Sequence, residues 1–258
     1  MALAFEETGP QGAPCVVFVH GLIASRWTWR QTTAQFADYH CLAPDLPGHG
    51  ESHGVAWKSI ADAARQVVEL VQAKAAGGKA TLVGLSLGAM VSLQALNDAP
   101  HAVNGVVVTG ANLLPLPWKV RLLSLVMLPG LRSERFLKAS AEGLRLPEEA
   151  IPLYRADLER FSRLTALRAS LAASGFRLPK RLVGASSPLL ALAGEQENIR
   201  VLDSLHILLK ALPNAQACKA PGGRHGWIGE QPELWARTLR AWLGQTPLPE
   251  ELIRVQRY

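Results

Sequence analysis

Cysteine is scarce: the 258 residues hold three, too few for a disulfide framework. Cys15, Cys41 and Cys218 each stand in an apolar, strand-like stretch, which reads as buried free thiols in a reducing compartment and not as a metal site. Long hydrophobic runs are missing as well. No stretch of about 18 apolar residues occurs, so no helix is expected to cross a bilayer and no stable membrane insertion follows. The opening residues, MALAFEETGP, lack a basic n-region and a long apolar core, so no signal peptide is expected and the cytoplasm is the expected location. No repeat or low-complexity tract is present. Charged residues make up 19% and hydrophobic ones 48%, a balance that excludes disorder.

The net charge is +6, and all of that excess lies between Asn112 and Lys180. A solvated helical surface accounts for it. The alternative is a face that meets an anionic substrate, carrier or lipid. Nucleic acid is excluded as a partner, because no recognition motif or stacking platform accompanies the charge.

What remains is an alternation of strands and helices. Cys15 to Val19 (CVVFV) is a continuous apolar run, as expected of a strand covered on both faces. His40–Pro44, Ala80–Val83, Gly105–Thr109, Pro188–Ala193 and Ala215–Ala220 read as further strands. Helices are expected over Trp27–Tyr39, Trp57–Ala76, Ala89–Leu96, Ile199–Leu212 and Pro232–Leu243. Such alternation implies a mostly parallel, doubly wound α/β sheet. Only 14 residues precede Cys15, room for one strand and its turn but not two. Between Asn112 and Lys180 no strand is evident, only helical pieces broken by prolines. This divides the chain into core (1–111), an inserted helical cap (112–180) and core again (181–258). Leu122, Leu125, Val126, Leu128 and Phe136 are expected to line the inner face of the cap, with at most one or two of its basic side chains facing the pocket. Gln245 to Tyr258 reads as a polar tail.

The chemistry centres on Lys79–Met90, KATLVGLSLGAM. Strand, G-x-S-x-G and helix form the context of a nucleophile elbow, in which Gly84 and Gly88 let strand and helix approach around Ser86. The helix N-terminus faces the hydroxyl, and the Leu87 N–H is free to meet an oxyanion. A serine needs a base and the base an orienting acid. Two loops that leave strand ends supply candidates: Gly194-Glu195-Gln196-Glu197, and Gly223-Arg224-His225-Gly226. Asp45 precedes the serine and reads as a loop organiser, and His20 as shaping the turn after its strand. His49 and His53 flank Glu51, but HGESH is not H-E-x-x-H, so no metal is implied.

Four motifs, His20-Gly21, DLPGHGES (Asp45–Ser52), GLSLG (Gly84–Gly88) and GRHG (Gly223–Gly226), resemble the cap-bearing branch of the α/β-hydrolase superfamily. The resemblance covers nearly the whole chain, in the right order. It implies Ser86 as nucleophile, His225 as base and, by its place after the strand glycine, Glu197 as acid, with Glu195 the competitor. The family more often has Asp there. Backbone N–H groups of Leu22 and Leu87 would form the oxyanion hole, and Trp27 and Trp227 are candidates for the pocket wall. The implied activity is hydrolysis of an ester-like bond of a small, mainly apolar substrate, without cofactor. Lactonases, thioesterases, C–C bond hydrolases, acyl-transferring or perhydrolytic enzymes and non-catalytic binding proteins share the fold. The oligomeric state, monomer or dimer, is left open.

Overall fold

A computed structural model describes residues 2–120, 130–144 and 146–257. Eight strands form one sheet: β1 (Phe5–Thr8), β2 (Cys15–Val19), β3 (His40–Pro44), β4 (Ala80–Leu85), β5 (Val103–Thr109), β6 (Leu189–Gly194), β7 (Ala215–Ala220) and β8 (Ile253–Arg254). Their order is β1-β3-β2-β4-β5-β6-β7-β8. The six central strands run parallel, and the two edge strands, β1 and β8, pair antiparallel to β3 and β7. One strand precedes β2, as the length of that segment requires.

The apolar strands feed two layers at once. Val17 and Val19 of β2 join the core on one face of the sheet, while Val16 and Phe18 join the core on the other. Leu82 and Val83 of β4 divide in the same way, as do Val106 and Val107 of β5. Side chains alternate along a strand, so burial on both faces demands an unbroken apolar run. The first layer is completed by α2 (Ile60–Lys74), α3 (Leu87–Asp98) and α7 (Ile199–Ala211). Ser59 caps α2 by accepting the Asp62 N–H at 3.0 Å, and Asn198 caps α7 by accepting the Arg200 N–H. The second layer holds Trp29, Phe36, Trp227 and Trp235, packed around α8 (Trp227–Glu230) and α9 (Pro232–Leu243).

Three differences from the sequence reading have physical causes. The helix expected over 27–39 is a 3₁₀ turn (Arg26–Trp29) followed by the short α1 (Arg30–Ala34). Its apolar Trp29 and Phe36 are buried, but without a continuous helix between them. The helix expected from Trp57 begins only at Ile60, where Ser59 supplies the cap. The C-terminal stretch is also more than a polar tail. Leu248 and Leu252 are buried in the second layer and deliver β8 to the sheet edge.

Between β5 and β6 the described residues contain no strand. They form α4 (Glu134–Leu144), α5 (Ile151–Arg160) and α6 (Arg163–Gly175), the last capped by the Ser162 hydroxyl. Leu122, Leu125, Val126, Leu128 and Arg121 lie outside the described residues.

Candidate active site

Ser86 occupies the turn between β4 and α3 with φ 53° and ψ −110°, left-handed backbone that non-glycine residues seldom adopt. The packing around it accounts for both flanking glycines. A Cβ on Gly84 would lie 2.4 Å from the Gly88 carbonyl oxygen, and one on Gly88 would lie 2.0 Å from that of Val19. The Ser86 N–H is held by the Thr109 carbonyl at the end of β5 (2.9 Å).

The loops that carry His225 and Glu197 are fastened to each other by backbone. Glu195 N–H donates to the Ala220 carbonyl and Gln196 N–H to that of Gly223 (2.9 and 2.8 Å). A Cβ on Gly194 would stand 2.3 Å from the Gly223 oxygen, so only glycine lets the loops approach this closely. The result sets His225 Nδ1 at 3.0 and 3.1 Å from the two Glu197 carboxylate oxygens. Burial alone pulls the imidazole pKa down. The Glu197 hydrogen bond and charge outweigh it, and the His225 pKa ends above its ordinary value of 6.5. Glu195 points elsewhere, and its carboxylate accepts the Gly222 N–H at 2.8 Å, bracing the loop that carries His225.

Two residues went unnoticed in the sequence. Gly110 (φ 66°) is pressed against the couple, since a Cβ there would sit 2.8 Å from His225 Cε1 and 3.3 Å from the Glu197 carboxylate. Its signal was a glycine at the carboxyl end of an apolar strand, where reacting groups gather. Thr109, beside it, accepts from Trp227 Nε1 on its hydroxyl (2.8 Å) while its carbonyl holds the Ser86 N–H. Trp227 is therefore a brace within the core. It is fully buried and absent from the described lining of the cavity beside Ser86, which corrects its expected place on the pocket wall. Its ring lies 5.5 Å from that of Trp235, so packing claimed the indole before the pocket could.

Leu22 follows the buried His20-Gly21 pair. His20 Nδ1–H donates to the Gly21 carbonyl (2.7 Å), and its Nε2 accepts the Leu46 N–H (2.9 Å). Full burial pushes this imidazole down to about 4, so it stays neutral and keeps both bonds. Asp45 organises the same region: its carboxylate accepts from Arg26 backbone and guanidinium and from the Glu51 N–H. Leu87 is the first residue of α3, where an N–H has no intrahelical acceptor. Among the described residues, neither the Leu22 nor the Leu87 N–H meets a protein acceptor.

Ser86, His225 and Leu22 open into one cavity of about 600 Å³. Its walls include Leu22, Ile23, Trp27 and Leu85 from the core side and Leu144, Leu146, Leu153 and Tyr154 from the helical insertion. Trp27, expected on the pocket wall, lines this cavity. Lys119, Arg132, Arg135, Lys138, Arg155, Arg160, Arg163 and Arg168 are absent from the lining. Arg155 pairs instead with Glu134, and Arg160 with Glu51. His49 and His53 face the Pro47 and Gly50 carbonyls, and among the described residues no cluster of potential metal ligands forms. No helix among them is long and apolar enough to cross a membrane.

A parallel sheet with a serine on a left-handed turn, and a histidine–carboxylate couple opening on the same cavity, defines the α/β-hydrolase class of proteins. The chain belongs to the alpha/beta hydrolase family, whose model matches residues 16–238. An AB hydrolase superfamily protein from Gibberella zeae is 23% identical over 259 residues, covering 95% of this chain and 86% of that protein. A 2-succinyl-6-hydroxy-2,4-cyclohexadiene-1-carboxylate synthase from Yersinia pseudotuberculosis is 36% identical over 101 residues, 39% of this chain and 37% of its own length. A thermophilic esterase from Thermogutta terrifontis shares the fold with a TM-score of 0.78 at 23% identity, covering 94% of this chain and 93% of that one. A hydrolase from Pseudomonas aeruginosa does so with a TM-score of 0.80 at 19% identity, over 94% of each chain.

Proposed function

We propose that this protein is a serine hydrolase that cleaves an ester-like bond (carboxylic ester, lactone or thioester) of a small, mainly apolar acyl substrate. Ser86 attacks the carbonyl carbon while His225 takes its proton. The Leu22 and Leu87 N–H groups stabilise the oxyanion. The intermediate collapses to an acyl-enzyme as His225 returns the proton to the leaving group. Water, activated by the same imidazole, then releases the acid. Glu197 fixes the tautomer and stabilises the imidazolium. Residues 112–180 act as the cap that supplies the apolar acyl wall. No cofactor or metal takes part in this reading.

One observation carries it: the strained turn of Ser86 shares a cavity with the His225–Glu197 couple. The partial likeness to the synthases suggests chemistry other than ester cleavage at the same site. The described lining speaks against their kind of carboxylated ligand, because among the described residues Arg30 is its only Lys or Arg side chain and already pairs with Glu6. The test is a fluorophosphonate probe followed by a panel of acyl esters and thioesters. Labelling at Ser86, lost in Ser86→Ala, with turnover of short neutral esters, is the expected result. An unlabelled protein that binds but does not cleave them would make it a binding protein on this fold.

A further inference from the structure

Four of the contacts that cross the seam between the helical insertion and the core join residues 157–165 to residues 27–51. Arg160 pairs with Glu51, Phe161 packs on His49 with ring centres 4.7 Å apart, and Thr165 crowds Gly48, where a Cβ would stand 2.5 Å from its methyl group. The fourth differs in kind. Asp157 of α5, 6% exposed, accepts a hydrogen bond from Trp27 Nε1 at 2.6 Å across 130 residues of sequence. Trp27 alone among these core partners lines the cavity.

The surroundings make this bond decisive for where the indole lies. Trp27 and Ile23 are core residues, yet they pack into the insertion's own apolar cluster with Leu137, Tyr154 and Leu158. Dispersion holds a ring in such a cluster without fixing its rotation, whereas one buried N–H that must find an acceptor does. Asp157 is that acceptor. Burial raises its carboxyl above the usual aspartate range, opposed by the hydrogen bonds it receives from Trp27 and from the Ser25 hydroxyl. Trp27 also stands five residues beyond Leu22, on the loop that carries one oxyanion donor.

We propose that Asp157 is a specificity-determining positioning residue: through Trp27 it sets the cavity wall along which an acyl chain lies beyond Ser86. This rests on the serine-hydrolase reading. An ethyl group on a reactive phosphorus reaches only the atoms next to Ser86, whereas an octyl chain needs the wall.

The test compares labelling rates of ethyl and octyl fluorophosphonates. Asp157→Leu should lower the octyl-to-ethyl rate ratio by about five- to tenfold, as a freed indole N–H turns away from its apolar surroundings, with the ethyl rate little changed. Trp27→Phe, which removes the donor and keeps a ring, should lower the ratio similarly, and the double variant should fall no further. Asp157→Asn should restore the ratio, because its amide oxygen accepts from the same N–H. Arg160→Ala, which breaks the seam away from the cavity, should leave it unchanged. An unchanged ratio in both Asp157→Leu and Trp27→Phe overturns the proposal. So does failure of Asp157→Asn to rescue, or an equal fall in Arg160→Ala. A wild-type protein that takes up neither probe refutes the hydrolase reading instead. Calorimetric binding of 1-octanol to Ser86→Ala, with and without Asp157→Leu, then decides the role of Asp157 without chemistry: weaker binding supports it and equal binding overturns it.

Discussion

His49→Phe should flatten the acid sensitivity of the fold by an amount that can be worked out beforehand. His49 is buried against the rings of Trp57 and Phe161, and its Nε2 has no hydrogen-bond partner. Burial, with the neighbouring His20 imidazole, pushes its pKa down to about 3. The unfolded chain binds this proton near pH 6.5 and the folded chain does not. Stability is therefore complete above that pH and is lost as pH falls below it, because protons then favour the unfolded state. At pH 5 the folded group is still neutral, so the loss depends only on the gap of about 1.5 units to the unfolded value, ~2 kcal/mol. His20, held at about 4 by its own burial, adds a similar amount independently of the variant. Urea unfolding at pH 8 and pH 5 measures the difference for each protein. Its carboxylates are common to both and cancel. The wild type should lose about 2 kcal/mol more between the two pH values than His49→Phe does. At pH 8 the variant loses a hydrogen bond to the Pro47 carbonyl but also an unpartnered ring nitrogen, so the two should lie within about 1 kcal/mol. Equal losses in the two proteins would refute the assignment of a neutral, buried His49.

Ser86→Ala should lower kcat by roughly 10⁴- to 10⁶-fold with the thermal transition retained, and a variant that keeps most activity on every substrate would end the mechanism. Glu197→Gln should cost less than that and more than Glu195→Gln, and it should move the acid limb of kcat/KM from above pH 6.5 toward lower pH, because only neutral His225 can act as base. The raised His225 pKa also adds stability below its unfolded value and loses it as pH rises, so Glu197→Gln should destabilise more at pH 5 than at pH 9. Gly88→Ala forces a Cβ into the Val19 carbonyl and should cost about 3 kcal/mol or more, read as a fall in Tm of about 10 °C. On neutral esters kcat/KM should change less than about twofold between low and moderate salt, because the described basic side chains of the insertion do not line the cavity.

The strands and the chemical motifs were legible because each is local. CVVFV and GVVVT announce burial on both faces, and GLSLG carries its own steric requirement. The His225–Glu197 pairing depended on chain order and a family pattern, and the loop contacts explain why Glu197 and not Glu195 reaches the ring. What escaped is mostly long-range. Trp27 and Trp227 look alike as isolated indoles near catalytic loops, and only their partners, Asp157 and Thr109, send one to the cavity and the other to the core. Leu248 and Leu252 were hidden among prolines and charges, where two isolated leucines give no period to read.

The contact between Gly88 and the end of β2 has a consequence for how this protein can change. A Cβ on Gly88 would strike the carbonyl oxygens of both Val19 and His20. The turn that carries Ser86 and the strand that launches the Leu22 loop are thus seated on one another, backbone against backbone. The part of that loop from Ile23 on, and the described residues of the insertion, hang outside that joint. Substitutions or length changes there can redraw the shape of the cavity while Ser86 and the start of the Leu22 loop keep their spacing. On the proposed mechanism, the reaction and the choice of substrate are inherited as separate traits, and a designer altering the second need not reopen the first.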